Sequence, residues 1–293
     1  MSEQTPHALD APQLVRHIYL SPHFDDVAFS CGGQIAQLTR GGASVLIYTV
    51  MGGDPPEGFV PTSLTEELHR RWQRGMLAEQ ALAARRAEDR AAAAVLGAGL
   101  SFGTFADAIY RISPTARPLY ASEEAIFGEV DPDDPATPEA LAASFLSISP
   151  QLTSEVTLYA PLGVGHHVDH QLVRAMALHL AAQFRLCNVY FYEEFPYARD
   201  GPEVRLRALS ELVRAMRAYP AHFGLRAVPH KVVIDEVALA RKIEASACYS
   251  SQVSSFWSDA GELEQVFRDY HALSGGELCY RPLLRGEDQS SGW

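Results

Sequence analysis

The sequence is poor in cysteine, in basic clusters and in long apolar runs, and each absence excludes a class of protein. Its four cysteines, Cys31, Cys187, Cys248 and Cys279, are scattered over 293 residues without a Cys-x-x-Cys pair. A disulfide framework or a cysteine-based zinc site needs closer, regular spacing. We therefore expect reduced thiols, as in a cytoplasmic protein.

No apolar run approaches the roughly 18 to 20 residues that a membrane-spanning helix needs. The initial segment MSEQTPHALDAPQ lacks the basic and apolar regions of a signal peptide. The 24 Lys and Arg residues are outnumbered by 36 Asp and Glu residues, which gives a formal charge of −12. With no basic patch interleaved with aromatic residues, neither a nucleic acid nor an anionic membrane is an expected partner. The sequence carries no signal for an oligomeric state.

What the sequence does contain is polar residues where buried strands end. The apolar segment 15–20 (VRHIYL) predicts a strand, and His23, Asp25 and Asp26 follow it before a run with helical spacing. The segment 156–161 (VTLYAP) predicts another strand, followed by LGVGHHVDH and a second helical run. Because open α/β sheets bind ligands outside the carboxyl ends of their strands, we expect these side chains to meet at one edge.

His23, Asp26 and His170 together offer two imidazoles and one carboxylate. Three N/O ligands that leave one position open for water are typical of a catalytic zinc rather than a structural one. Asp25 keeps a free carboxylate beside them, which completes the minimum set for metal-assisted hydrolysis. The alternative is that these are turn and cap residues, but the pattern occurs at two strand ends, which argues against it.

The two motifs resemble those of the LmbE-like or PIG-L-like zinc N-deacetylases, which act on N-acetylglucosamine conjugates. The first is PHFDD at 22–26, with two glycines soon after it, and the second is HVDH at 167–170. Further pieces of the chain also resemble the family, at 85–97, 107–111 and 242–252. Together they cover about residues 15–255, and the two metal motifs are the specific part.

The expected chemistry is hydrolysis of an N-acetyl amide with one zinc ion per chain. Zinc polarises the amide carbonyl and activates water, and Asp25 is expected to act as the general base. His167, one helical turn before His170, is expected to stabilise the tetrahedral oxyanion in its protonated form. Asp169 is expected to hold His167 in its tautomer and charge.

Three residues are candidates for binding the substrate. The resemblance implies that Arg85 reaches the site, although a surface ion pair with Glu88 is an alternative reading. Asp107 and Arg111 follow a short predicted strand and could bind sugar hydroxyls or pair with each other. Carboxylates suit hydroxyls better than phosphates, so we expect a neutral or cationic amino sugar or glycoconjugate.

Alternatives to the deacetylase remain open at this point. An amidase acting on a larger sugar or thiol conjugate would use the same chemistry, and a sugar-binding homologue would have lost turnover. The sequence also departs from the family, which affects the substrate subgroup more than the chemistry. Phe24 replaces the usual Pro, Val27 replaces the usual Glu, and Tyr249 replaces a His in the late segment.

We expect an α/β fold, a Rossmann-like three-layer sandwich with a mostly parallel sheet and the site at the strand carboxyl ends. The required Gly-x-Gly-x-x-Gly turn is missing, so a dinucleotide-binding oxidoreductase is not expected. We expect one domain over 1–293, with a surface excursion at about 112–150 where the composition turns acidic and proline-rich. Further strands are predicted at 44–50, 101–105, 189–192 and 232–234, and further helices at 64–96, 139–152, 203–219 and 236–249.

Overall fold

The computed structural model describes residues 15–72, 78–148 and 152–287, in which strands alternate with helices. The first half contains β1 His17–Ser21, α1 Asp26–Arg40, β2 Val45–Thr49, α2 Ser63–Arg71, α3 Ala78–Leu96, β3 Gly99–Phe102, α4 Glu123–Ile126 and α5 Pro138–Ile148. The second half contains β4 Thr157–Pro161, α6 Val168–Phe184, β5 Asn188–Tyr192, α7 Pro202–Met216, β6 Phe223–Val232, α8 Glu236–Ala247, α9 Ser250–Phe256, α10 Ala260–Ser274 and β7 Glu277–Leu284. Short 3-10 turns lie at Ala108–Tyr110 and Tyr197–Asp200.

The strands form one seven-stranded sheet in the order β3-β2-β1-β4-β5-β7-β6. β1 to β5 run parallel to one another, and β7 runs antiparallel to both β5 and β6. β1 and β4 are direct neighbours, with His17 opposite Thr157. The carboxyl ends of these two strands therefore lie side by side, as the sequence predicted, and the mostly parallel α/β sheet is confirmed.

Helices cover both faces of the sheet because the strands alternate their side chains between two cores. In β1, Tyr19 belongs to the core that contains α1, α3 and α8. Ile18 and Leu20 point the other way, into the core that contains α5, α6 and α7. The chain is thus a helix, sheet and helix sandwich, in agreement with the predicted layers.

The C-terminal third differs most from the prediction. Instead of a strand at 232–234, β6 spans Phe223–Val232, and α9, α10 and β7 were not predicted at all. β6 is an edge strand whose side chains are mostly exposed, and it contains Pro229, so neither alternation nor composition identifies it. The predicted helical stretch 64–96 consists of two helices, and Gly75, the expected breaker, lies outside the described residues.

The segment between β3 and α5 covers the first part of the predicted excursion at about 112–150 and carries the short helix α4, and α5 lies in its second part. It is anchored near its start by a bridge between Ile112 and Pro118. The first and last strands along the described chain, β1 and β7, belong to the same sheet. One domain over 1–293 stays a prediction. Within the described ranges, no helix combines the length and apolarity that crossing a membrane requires.

Candidate active site

The centre of the site is built from the turns that follow β1 and β4. The Ser21 hydroxyl donates to the His23 carbonyl at 2.5 Å and accepts from the Val27 amide at 3.2 Å, which fixes the first turn. The second turn has positive φ at Gly163, at Gly165 and at His166, and α6 begins immediately after it. Because β1 and β4 are neighbours, the two turns face each other.

The three predicted metal ligands come together as the sequence indicated. Asp26 and His170 are buried, the His23 side chain is 12% exposed, and one ligand atom from each of the three lies within 4.8 Å of the others. His23 Nδ1 is 3.2 Å and His170 Nε2 is 3.4 Å from Asp26 Oδ2. Two imidazoles and one carboxylate at this spacing fit a zinc ion with an open coordination position.

His170 is oriented by Glu194, which directly follows β5. The Nδ1 atom of His170 lies 3.0 Å from Glu194 Oε1. The same carboxylate accepts from the backbone amides of Gly163, at 2.6 Å, and Val164, at 3.0 Å. Glu194 thereby holds both the ring and the turn before it, and leaves Nε2 directed at Asp26. The position of Glu194 directly after a strand is the feature of the sequence that indicates it. The neighbouring Glu193 accepts a hydrogen bond from the Tyr280 hydroxyl at 2.8 Å.

Asp169 does not hold His167 through its carboxylate, in contrast to our expectation. Its Oδ2 lies 2.9 Å from His23 Nε2 and accepts from the Ala108 amide at 2.9 Å. Its Oδ1 lies 2.5 Å from a guanidinium nitrogen of Arg111. The reason is helical geometry, since the first turn of α6 directs this side chain towards β1 and the excursion. Asp169 therefore orients the His23 ring.

His167 caps the N-terminus of α6. Its Nδ1 accepts a hydrogen bond from the Asp169 backbone amide at 3.1 Å. A neutral imidazole whose Nδ1 accepts must carry its proton on Nε2. Burial and the neighbouring charge of His23 lower the pKa of His167 well below its ordinary value, which favours this neutral tautomer. His167 can therefore donate from Nε2 without being protonated a second time.

A second group, His23, His167 and Asp169, also has ligand atoms within 4.8 Å of one another. Its carboxylate is already compensated by Arg111, and its His167 Nδ1 already accepts an amide proton. By contrast, no arginine or lysine in the described chain lies within ion-pair distance of Asp26. The group that contains Asp26 is accordingly the better site for a cation.

The charges of this cluster favour a bound cation. Burial alone would raise the pKa of Asp26, but His170 and His23 outweigh it and hold that pKa well below its ordinary value. Burial likewise opposes protonation of His170, yet Asp26 and Glu194 raise its pKa to about 9. The carboxylates thus draw positive charge to the ring nitrogens, and a metal ion would supply that charge in place of protons.

Asp25 lies beside the ligands and has a different environment. Burial, followed by the charge of Asp26, raises the pKa of Asp25 to about 6, although Arg85 and His23 oppose the shift. Arg85 Nη2 is 3.5 Å from Asp25 Oδ1. A carboxylate with a pKa close to neutrality is suited to accept and return a proton.

Arg85 reaches the site from α3, as the resemblance implied. Its guanidinium lies between two rings, 4.4 Å from the Trp72 ring centre and 5.0 Å from the Phe24 ring centre. Its Nη1 is 3.9 Å from Asp107 Oδ2, which is also 3.8 Å from His23 Nε2. Asp107 therefore borders His23, Arg85 borders Asp25, and both line the cavity above them.

Arg111 is not in a position to bind substrate, and it does not pair with Asp107. Its side chain is 3% exposed, and its guanidinium donates to Asp134 at 2.9 and 3.1 Å and to the Ala106 carbonyl at 3.0 Å. Together with the contact to Asp169, these bonds occupy it within the protein. Asp134 belongs to the acidic stretch of the excursion, where no local pattern distinguishes it from its neighbours Asp131 and Asp133.

A cavity of about 280 Å³ opens above these residues. Its floor includes His23, Asp25, Asp26 and His167, and Arg85 and Asp107 stand at its side. The remainder is largely apolar and was not predicted, because its residues come from separate elements without a shared motif: Phe29, Leu68, Trp72, Ile109, Ile126, Phe127, Phe195, Pro196, Tyr197 and Phe256.

Comparisons with known proteins identify the family of the chain. The family model for PIG-L, GlcNAc-PI de-N-acetylase, matches residues 18–181. The 2′-N-acetylparomamine deacetylase of Niallia circulans is 32% identical over 189 residues, 61% of this chain and 66% of that protein, so the match spans just under two thirds of the relative.

Two solved structures match over nearly their whole length. A teicoplanin deacetylase in its zinc-inhibited form has a TM-score of 0.69 and 25% identity, covering 93% of this chain and 99% of its own. An antimicrobial pseudoaglycone deacetylase has a TM-score of 0.62 and 25% identity, covering 92% of this chain and 97% of its own.

Proposed function

The chain belongs to the PIG-L family of GlcNAc-PI de-N-acetylases, and on that basis we propose that it is a zinc-dependent N-deacetylase. Its substrate is the acetamide of an N-acetylglucosamine-type sugar or sugar conjugate, and its products are acetate and the free amine. The observation that carries the proposal is the cluster in which one ligand atom each from His23, Asp26 and His170 lies within 4.8 Å of the others, with Asp25 next to Asp26 in the chain. The deacetylase relatives support the same reaction.

His23, Asp26 and His170 would hold the zinc ion, one per chain. Their two ring nitrogens and one carboxylate match the donor set of hydrolytic zinc sites, and Glu194 and Asp169 fix the two rings. When bound, zinc supplies the polarisation of the amide carbonyl and the activation of water. The chain's own residues provide the remaining steps.

Asp25 acts as the general base and then as the general acid. It accepts a proton from the attacking water as the carbon–oxygen bond forms, and it returns that proton to the nitrogen as the carbon–nitrogen bond breaks. A pKa of about 6 permits both transfers near neutral pH. Arg85, 3.5 Å from Asp25, holds the carboxylate in place.

His167 stabilises the oxyanion that develops on the carbonyl oxygen. The amide of Asp169 occupies its Nδ1, so its proton is on Nε2. Because this hydrogen-bond donor is already in position, it does not have to reorient as the transition state forms, and little free energy is spent on reorganisation. Asp107 and Arg85 lie at the edge of the floor and are suited to sugar hydroxyls.

The cytoplasm is the location that we propose for this reaction. All four cysteines are free thiols, and Cys31 and Cys279 are buried. Free thiols in this number fit a reducing compartment.

Acetate release tests the reaction directly. The zinc-loaded protein should release acetate from N-acetylglucosamine or its glycosides, and removal of zinc by a chelator should abolish that release. His170→Ala should lose both zinc and activity. His179→Ala, a matched substitution farther along α6, should retain both. Full zinc content in His170→Ala would remove His170 from the ligand set, and absence of acetate release from the loaded wild type would refute the proposed reaction.

A further inference from the structure

The turn that follows β4, residues 162–167, is held from two sides. On one side Glu194 accepts two of its backbone amides. On the other side lies α7, whose Glu211 reaches the turn through His166 and Arg174. None of the described residues that line the cavity comes from α7. This helix therefore touches the site only through the turn.

Glu211 is a carboxylate, 8% exposed, that contacts three basic side chains. Its Oε1 accepts from Arg207 Nε at 3.0 Å and lies 3.2 Å from His166 Nδ1. Its Oε2 accepts from Arg174 Nη1 at 3.3 Å. Burial raises the pKa of Glu211, but the three basic groups outweigh burial and lower that pKa, so the carboxylate is charged at neutral pH. Because a carboxylate only accepts, the ring donates from Nδ1.

Arg174 carries this link to the start of the turn. Its Nη1 donates to the Leu162 carbonyl at 2.8 Å as well as to Glu211. Glycine at position 163 permits this approach, since a Cβ atom on Gly163 would lie 2.5 Å from Nη1. Arg174 is 6% exposed, so its charge depends on a buried partner. The start of the turn is thereby fixed relative to α7.

His166 carries the link to the end of the turn. Its φ is 64°, and the only other non-glycine residues of the described chain with positive φ are Ala116 and Arg185. A side chain in this left-handed region is strained, and such strain persists only where surrounding contacts hold the residue. Glu211 is the buried contact, because Glu129, 3.4 Å from Nε2, is 81% exposed and an exposed pair contributes little.

The strained residue directly precedes His167, the group assigned to the oxyanion. The backbone of His166 sets the direction in which the chain enters His167, whose Nδ1 accepts the Asp169 amide and whose Nε2 carries the proton. A change of conformation at His166 therefore redirects that proton. A donor stabilises an oxyanion only from the productive position.

Building on the proposed amide hydrolysis, we propose that Glu211 is a positioning residue for that reaction. Through His166 and Arg174 it holds the turn after β4, and so it keeps the Nε2 proton of His167 directed into the cavity. Glu211 itself touches neither the substrate nor the reacting atoms. Its charge is the property that matters, since both intermediaries donate to it.

Glu211→Gln removes the charge and keeps the size of the side chain. With equal zinc content, kcat for acetate release from the methyl glycoside of N-acetylglucosamine should fall about tenfold, a part of the roughly 10²-fold or more that loss of an oxyanion donor costs. KM should change less than about twofold, because the substrate contacts remain. Glu203→Gln, at an exposed position of the same helix, should match the wild type in both. Unchanged kcat in Glu211→Gln would overturn the proposal.

A double-mutant cycle separates positioning from a general loss of structure. If Glu211 acts through His167, Glu211→Gln should lower kcat less than about twofold once His167→Ala has removed the donor. An equal fall in both backgrounds would mean that Glu211 only supports the fold, and it would refute the positioning role.

His166→Gly covers the case in which Glu211→Gln folds poorly. Glycine adopts a positive φ without strain, so this variant can form the turn but lacks the link to Glu211. Its kcat should also fall about tenfold. Wild-type kcat in folded His166→Gly would contradict the link.

An NMR measurement keeps the two proposals separable because it requires no turnover. With isotope-labelled ring nitrogens in the zinc-loaded protein, His167 should show the neutral tautomer that is protonated on Nε2. Glu211→Gln should shift these signals, and Glu203→Gln should not. Signals that Glu211→Gln leaves unchanged would refute the positioning, whatever the activity. Shifted signals in a protein that releases no acetate would refute the reaction and leave the positioning of His167 supported.

Discussion

Asp89 on α3 gives the sharpest test of the electrostatics in this structure. It is 1% exposed, its Oδ1 accepts from the Tyr249 hydroxyl at 2.6 Å, and its Oδ2 accepts from the Thr49 hydroxyl at 2.7 Å. Burial nevertheless dominates these bonds and raises the pKa of Asp89 from 3.8 to about 7. The change that we examine is Asp89→Asn, which removes the charge and keeps the shape.

The sign and size of the effect follow from proton linkage. Between pH 3.8 and pH 7 the folded protein holds a proton on Asp89 that the unfolded chain releases, so this residue lowers the free energy of unfolding as pH rises. The loss in free energy of unfolding reaches its full size above pH 7, where it amounts to ~4 kcal/mol because the pKa of Asp89 is raised by about 3. From pH 5 to pH 8 the penalty grows by ~2 to 3 kcal/mol.

Urea denaturation of both proteins at pH 5 and pH 8, with equal zinc content, measures this change. Between pH 5 and pH 8, the free energy of unfolding of Asp89→Asn should increase by ~2 to 3 kcal/mol relative to that of the wild type, because the amide has no charge to bury. Asp269→Asn, an exposed position on α10, is the control and should follow the wild type. A difference between Asp89→Asn and wild type that stays constant from pH 5 to pH 8, or that changes in the opposite direction, would refute the reasoning.

Three further predictions concern the site. Asp25→Asn should keep its zinc and lose about 10²-fold or more in kcat, whereas Asp26→Asn should bind zinc more weakly. If Asp25→Asn lost zinc and Asp26→Asn kept it, the roles of general base and zinc ligand would have to be exchanged. Asp134→Asn removes the charge that pairs with the buried Arg111, so it should lower zinc affinity about tenfold in a chelator competition. Asp133→Asn, at an exposed neighbouring position, should not change zinc affinity. Equal zinc affinities of Asp134→Asn and wild type would exclude this indirect role. Asp107→Ala should raise KM for a glycoside, and unchanged KM would place the sugar elsewhere.

The grouping of His23, Asp26 and His170 could be predicted because these residues are positioned by local chain geometry. His23 and Asp26 follow β1, His170 follows β4, and parallel strands bring their carboxyl ends together. Glu194 follows the same rule after β5. Predicting these residues requires only that the strands are identified correctly, and apolar runs identify buried strands well.

Other contacts could not be predicted because they join segments with no shared pattern. Arg111 pairs with Asp134 across the excursion, and no local feature separates that aspartate from the exposed acidic residues around it. The contacts of the Asp169 carboxylate depend on where α6 begins. This helix starts at Val168, whereas the sequence predicted a start at 171. That earlier start places Asp169 in the first turn, where its carboxylate contacts His23 and Arg111 rather than forming a hydrogen bond with His167.

The floor and the walls of the cavity belong to different parts of the chain. The floor is carried by the turns after β1 and β4, inside the sheet, while Phe127 and Phe256 are exposed side chains at the ends of α4 and α9. Substitutions at those two positions would remodel the entrance while His23, Asp25, Asp26 and His170 keep their places. The scaffold is therefore a favourable starting point for directed evolution towards new amides, with libraries confined to two surface positions.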